Sequence, residues 1–359
     1  MSDIASRQDD EYIIVTNRLT KVFGRLVAVN DLHLEVRRGD VFGFLGPNGS
    51  GKTTTIRMLL GLIRPTAGRA ILFGMDNAYQ LSAILQRVGA IVETPVFYPY
   101  LSGLDNLRVT AASSGMMSGS SNDKRLAEVL EIVELRSYEK LLYSKFSLGM
   151  KQRLGIAAAL LTDPELVLLD EPTNGLDPAG VIEIRRLIQR LSALGKTIFL
   201  SSHILHEVQQ VCNRVGILQK GNMIKQGNVD ELLREGEQVE LRFLTVDEHQ
   251  RALAVLQAAQ GGEAPWLGHI REEVNLQGQP ILLVGAAASS RRAPEINRLL
   301  AQYDLFVAEL HPRKGSLEEL YMKAITEEGP KTHIGMEALA EHAGEINTTS
   351  VSDEKDKTA

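Results

Sequence analysis

Cysteine is almost absent: Cys212 stands alone in 359 residues. No disulfide can form within the chain, and a reducing compartment is the simple inference. Long apolar runs are missing as well. None approaches the ~18 to 20 residues that a membrane-spanning helix needs. Ser2 to Glu11 is polar and acidic, so this stretch does not read as a secretory signal. Aromatic residues are sparse, at 5%, and the single tryptophan, Trp266, reads as packing. Excess basic charge is lacking too, since the formal net charge is −6. Glu327 to Ala359 holds eight acidic and three basic residues, which leaves the body near neutral. A near-neutral body argues against a dedicated nucleic-acid binder. What remains is 44% hydrophobic and 23% charged, ordinary for a globular protein, with length enough for two domains.

Against that background one stretch stands out: Gly46-Pro47-Asn48-Gly49-Ser50-Gly51-Lys52-Thr53-Thr54. It fits G-x-x-x-x-G-K-[ST], the phosphate-binding loop. Asp40 to Leu45 reads as a short apolar strand entering it. Thr53 to Leu62 reads as a helix leaving it, with Ile56, Leu59, Leu60 and Ile63 at helical spacing. Gly46, Gly49 and Gly51 let the backbone curl with its N–H groups inward. Those donors and the helix N-terminus suit a triphosphate. Lys52 brings a point charge to the outer phosphates, and the Thr53 hydroxyl can ligate magnesium.

Downstream, Leu166-Val167-Leu168-Leu169 is a continuous apolar run ending in Asp170-Glu171. That is how a buried parallel strand reads. Carboxylates at its carboxyl end lie where ligands collect in an α/β sheet. Asp170 is placed for magnesium and Glu171 to polarise an attacking water. Thr197 to Ser202 reads as another strand ending at His203, which either reaches a γ-phosphate or caps the segment from Ile204. Phe23, just before Gly24, reads as core or as an adenine-stacking ring. Ser147 and Gly149, at the mouth of a helix to Leu161, form an N-cap or an anion-binding edge. Pro172 to Pro178, with Asp177, is a tight turn sequence before a helix to about Leu194.

Elsewhere the chain divides by pattern. Tyr12 to Lys21, Leu32 to Val36, Arg69 to Phe73 and Arg87 to Val92 read as strands, the last broken by Glu93-Thr94-Pro95. Tyr98 to Leu161 is helical around a flexible loop, Ser113 to Ser121. Val215 to Leu218 and Met223 to Gly227 form a hairpin. Glu240 to Thr245, Ile281 to Val284 and Leu305 to Leu310 read as strands. His249 to Ala259, Pro294 to Gln302 and Ser316 to Thr326 read as helices. The expected division is a tail (1–11), a nucleotide-binding domain (12–231) with a helical subdomain (about 95–165), a small α+β domain (232–326) and a disordered acidic tail (327–359).

Taken together, these segments resemble the ATP-binding subunit of an ABC transporter, over roughly Tyr12 to Glu231. The antibiotic-resistance and bacitracin-export branch is the most similar. Val92-Glu93-Thr94-Pro95, Phe97-Tyr98-Pro99, Phe146 to Met150 and Ser316 to Tyr321 carry that narrower likeness. The resemblance implies a P-loop NTPase fold of ABC type, α/β with a helical subdomain, plus the accessory α+β domain. It implies ATP and Mg2+ as ligands. Phe23 and Gly46 to Thr54 would bind ATP. Glu93, where the family usually has glutamine, would touch both ATP and metal, and Thr53 and Asp170 would complete the metal site. Glu171, His203 and Lys52 would be catalytic. Ser147, Gly149 and Asp177 would face the ATP of a second subunit in a head-to-tail dimer. Leu148 and Met150 depart from the family's glycine and glutamine.

The function so implied is ATP hydrolysis that powers a separate membrane permease, as an exporter of drugs, peptides or other amphipathic compounds. The subunit would sit on the cytoplasmic face of the membrane, held there by the permease. The alternative is a soluble ABC-type ATPase acting on nucleic acid or ribosomes. Such proteins resemble two fused ATPase units or one split by a coiled coil, whereas this chain has one phosphate loop and no sustained heptads. A regulatory GTPase would need an Asn-Lys-x-Asp motif, which the chain lacks.

Overall fold

A computed structural model describes residues 11–93, 95–116, 119–275, 278–286 and 288–327. The expected tails (residues 1–10 and 328–359), Thr94 of the strand-breaking triplet, and Met117 and Ser118 of the expected loop lie outside the described residues. By packing, the described residues up to Leu320 form one compact unit.

In chain order the elements begin with β1 (Tyr12–Phe23), β2 (Leu26–Arg37), β3 (Val41–Leu45) and α1 (Lys52–Leu59). Next come β4 (Ala67–Leu72), β5 (Met75–Asp76), α2 (Leu81–Leu85) and β6 (Val88–Ile91). The helical stretch holds α3 (Gly103–Ser113), α4 (Ser120–Ile132) and α5 (Leu148–Ala159). Then follow β7 (Leu166–Leu169), α6 (Pro178–Ala193), β8 (Thr197–Ser202), α7 (Leu205–Gln209), β9 (Arg214–Gln219), β10 (Asn222–Asn228) and α8 (Val229–Glu235). The last are β11 (Gln238–Arg242), α9 (Val246–Gln260), β12 (Ile270–Val274), β13 (Pro280–Gly285), α10 (Ser289–Ala301), β14 (Glu309–Arg313) and α11 (Leu317–Glu327).

The sheet that matters for chemistry has the order β10-β9-β3-β8-β7-β6. Its strands from β6 to β9 run parallel, and β10 closes one edge antiparallel. Every residue of β3, β7 and β8 is buried. That is why these strands read as unbroken apolar runs: helices and a second sheet cover both faces. Phe42 and Phe199 stack at 5.6 Å between ring centroids, and Phe44 tilts against Phe199 at 5.2 Å. Gly43 is obligatory here, since a Cβ would overlap Val208 and stand 3.1 Å from the Cys212 sulfur. Burial pushes the Cys212 thiol up, so this cysteine is an inert packing group.

Because β6, β7, β8 and β3 are parallel neighbours, their carboxyl ends share one edge. The segments that leave that edge carry Glu93, Asp170 and Glu171, His203, and the phosphate loop. A second sheet, β2-β1-β4-β5, is antiparallel and packs its apolar face into the same core as Phe42, Ile56 and Leu168.

The third sheet has the order β12-β13-β11-β14, antiparallel throughout. With α9 and α10 it makes a β-α-β-β-α-β unit. Val239, Leu241, Leu256, Val284, Ile296 and Leu300 are among its buried core residues. Elements of this sheet differ from the sequence reading in detail. Strand β12 is absent from it, because Ile-Arg-Glu-Glu-Val is an exposed, charged edge that shows no alternation. The last strand begins at Glu309, later than expected: Leu305 and Val307 pack into the core on the approach, and pairing with Arg242 starts only at Glu309. Helix α8, capped by the Asn228 side chain, spans residues 231 and 232.

Candidate active site

The phosphate loop runs from the end of β3 into α1. Its curvature depends on Gly49 and Gly51, at φ 77° and 108°. Gly51 also lies against β2, where a Cβ would stand 2.5 Å from the Ala28 carbonyl oxygen. At Gly46 a Cβ would meet the Ser50 hydroxyl at 2.5 Å. Ser50 is 1% exposed, and its Oγ has no hydrogen-bond partner. Lys52, 5% exposed, donates to the carbonyls of Gly46 (2.7 Å) and Pro47 (3.2 Å) and lies 3.2 Å from Glu171 Oε1. The result is a tight cradle of small residues, backbone and one ammonium, shaped for an anion of triphosphate type.

Opposite the cradle, Asp170 and Glu171 leave β7. Ser201, on the neighbouring strand β8, organises both. Its hydroxyl donates to Asp170 Oδ1 at 2.5 Å and accepts the Glu171 backbone N–H at 2.9 Å. The Glu171 backbone turns left-handed there, at φ 48°, a conformation that costs free energy and recurs at functional sites. Glu171 Oε2 lies 2.8 Å from His203 Nδ1. An ionised carboxylate only accepts, so His203 carries its proton on Nδ1. Lys52, Glu171 and His203 therefore form one connected chain.

The other site candidates fall in three places. Phe23 stands at the β1–β2 turn, 47% exposed, with Lys21 Nζ 5.0 Å from its ring centroid. Its ring is free for stacking and outside the core. Ser147 caps α5 by accepting the Met150 N–H at 3.2 Å, and Asp177 caps α6 by accepting that of Gly180 at 3.0 Å. These two starts meet: a Cβ on Gly149 would lie 3.9 Å from Gly180 Cα. Glu93 follows β6, two residues after Ile91. Its carboxylate, largely exposed, pairs with Arg57 at the end of α1, and its φ is 67°. Ser201 was not legible as a site residue. Two serines ending an otherwise apolar buried run were the available signal for Ser201.

The donor set suits a magnesium ion. Thr53 is half-buried at the start of α1, and Asp170, 6% exposed, is a hard oxygen donor held by one hydroxyl. Among the described residues there is no group of three or more His, Cys, Asp or Glu that could hold a metal. A magnesium shared with substrate phosphates needs only one or two protein ligands, so the set fits that ion.

Comparison with known proteins agrees with this geometry. The ABC transporter family model matches residues 29–174. The bacitracin transport ATP-binding protein BcrA of Bacillus licheniformis is 41% identical over 314 residues, covering 87% of this chain and 97% of that protein. BcrA of Enterococcus faecalis is 36% identical over 316 residues, with 88% and 97% covered. The solved ATP-binding subunit of an ABC transporter superposes with a TM-score of 0.55 at 31% identity, covering 62% of this chain and 92% of that one.

Proposed function

This chain belongs to the ATP-binding subunits of ABC transporters, and from that premise we propose that it powers export of amphipathic peptides or drugs through a separate permease. Its ATPase activity is coupled to transport. Similarity to two bacitracin transport subunits along nearly their whole length supports a peptide-antibiotic class of cargo. Among the described residues no helix is long and apolar enough to cross a membrane, which accords with a permease on another chain. In this reading the first two sheets make the ATPase and the third an accessory domain.

The observation that carries the mechanism is the chain Lys52–Glu171–His203 at one edge of a parallel sheet. Lys52, held by loop carbonyls, is placed to bind the γ-phosphate. Glu171 accepts a proton from the attacking water while the water oxygen bonds to the γ-phosphorus and the bond to ADP breaks. His203 orients Glu171 by donating from Nδ1. Thr53 and Asp170 would hold magnesium, which supplies charge neutralisation on the phosphates. Ser147 and Gly149 present a helix start suited to the triphosphate of a second copy, with Asp177 capping the neighbouring helix start.

Glu171→Gln tests this reading. The amide keeps the volume but cannot take the proton, so ATP still binds while turnover falls by about 100-fold or more. Uncleaved ATP then holds two copies together. Size-exclusion chromatography with light scattering is expected to show a dimer of the variant with ATP and a monomer with ADP. Adding Ser147→Arg, which places bulk and charge on the shared edge, is expected to dissolve that dimer. Normal hydrolysis by Glu171→Gln, or a dimer indifferent to Ser147→Arg, contradicts the mechanism.

A further inference from the structure

We propose that the short helix α7 is a strut through which the accessory region sets His203 against Glu171, with Glu207 and Gln209 as positioning residues. The inference rests on the catalytic roles proposed above for Glu171 and His203. Helix α7 begins two residues after His203 and runs only from Leu205 to Gln209. A helix that short does not hold itself in place; its packing and side-chain contacts must.

Those contacts reach in two directions. Toward the catalytic side, Glu207 Oε2 accepts from Thr173 Oγ1 at 2.7 Å, and Thr173 lies in the turn just after Glu171. Toward the accessory side, Gln209 Oε1 accepts from the backbone N–H of Leu317 at 3.3 Å. Leu317 is the first residue of α11 and is fully buried. The first N–H groups of a helix have no partner of their own. Here Ser316 Oγ takes that of Glu319 at 3.1 Å, and Gln209, from a different part of the fold, takes that of Leu317. The start of α11 is therefore capped jointly by its own serine and by the strut.

A second contact fixes where α11 begins. A Cβ on Gly315 would overlap the Leu233 carbonyl oxygen and stand 2.8 Å from Gly236 Cα. Backbone thus lies directly on backbone between the end of α8 and the entry to α11. On its inner side, Val208 of α7 rests on Gly43 of β3, the strand that feeds the phosphate loop. Beside Val208 lies a partly open apolar cavity lined also by Val181, Ile188, Leu200 and Val211. A five-residue helix held by these contacts moves with them when either grip changes. A shift of the α11 start is delivered to Gln209, and from there along six residues to His203.

The test uses the full-length protein with Gln209→Ala, Gln209→Glu and Gly315→Val. Steady-state ATPase is measured beside hydrogen exchange of the amides of residues 203–209 without nucleotide. Gln209→Ala is expected to lower kcat about 3- to 10-fold. KM for ATP should hold and the melting temperature should fall modestly, because the buried Leu317 N–H loses its acceptor, while exchange over 203–209 quickens. Gln209→Glu keeps an acceptor oxygen for Leu317 and is expected to restore both kcat and protection. Gly315→Val should reproduce the Gln209→Ala pattern from the other side of the junction. Unchanged exchange in Gln209→Ala overturns the strut, as does faster exchange with an unchanged kcat. Equal losses in Gln209→Glu overturn it too. The exchange result needs no turnover, so it separates failure of the strut from failure of the catalytic assignment, which Glu171→Gln tests by itself.

Discussion

Ser201 is the residue on which both acids of the site depend. One hydroxyl satisfies the Asp170 carboxylate and the Glu171 backbone N–H. Replacing it with alanine leaves a buried acceptor and a strained, unpaired N–H. Leaving one such group unsatisfied costs roughly 1–3 kcal/mol. Ser201→Ala is therefore expected to lower the urea midpoint by a corresponding amount. It should also raise the magnesium concentration needed for half-maximal ATPase, because Asp170 loses its fixed orientation. A wild-type magnesium titration in this variant would sink the assignment of Asp170 as a metal ligand positioned by Ser201. Lys52, Asp170 and Glu171 were legible in the sequence because the motif and the strand-end carboxylates are local patterns. Ser201 lies 31 residues from Asp170, and only strand pairing brings them together.

Among the elements, the parallel sheet is pinned at its amino edge by Glu165, just before β7. Its carboxylate takes Arg87 Nε at 2.6 Å and Arg38 Nη1 at 2.5 Å, so the lead-ins to β6, β7 and β3 meet on one side chain. The Arg87 hydrogen bond, then that of Arg38, hold Glu165 down from 4.5 to about 2. A lowered folded-state value means stability that is present above the unfolded value and lost as pH falls. Glu165→Gln should thus lower the urea midpoint at pH 7, and the gap from wild type should close between pH 4.5 and about 2. Glu165 is 41% exposed, so solvent screens the pair and the effect at pH 7 is small, ~1 kcal/mol or less. A gap that widens on acidification would contradict the argument. The buried strands were legible as apolar runs. The charged edge strand β12 was not, because its place comes from pairing with β13 rather than from its own pattern.

The whole molecule, in the proposed function, works only with a permease. In vesicles holding the permease that co-purifies with this chain, an amphipathic peptide antibiotic is expected to stimulate ATPase several-fold, and to do so only when the permease is present. The chain alone should show basal turnover that such peptides leave unchanged. Equal stimulation with and without the permease would place the peptide's effect on the ATPase itself, against an export role.

What the sequence by itself determined is the chemistry and most of the parallel sheet. A phosphate loop between a strand and a helix, and acids at the end of a buried run, are encoded within a few residues each, because backbone curvature and burial are local demands. The tertiary structure decided what those groups touch. It brought His203 onto Glu171 and left Phe23 exposed at the β1–β2 turn, outside the core. It turned Glu93 toward Arg57, and it set Leu317 against Gln209 across more than a hundred residues. Contacts of that kind depend on strand order and on the close approach of glycine backbones such as Gly43 and Gly315. Those are properties of the assembled sheets and helices, and no short stretch of sequence carries them.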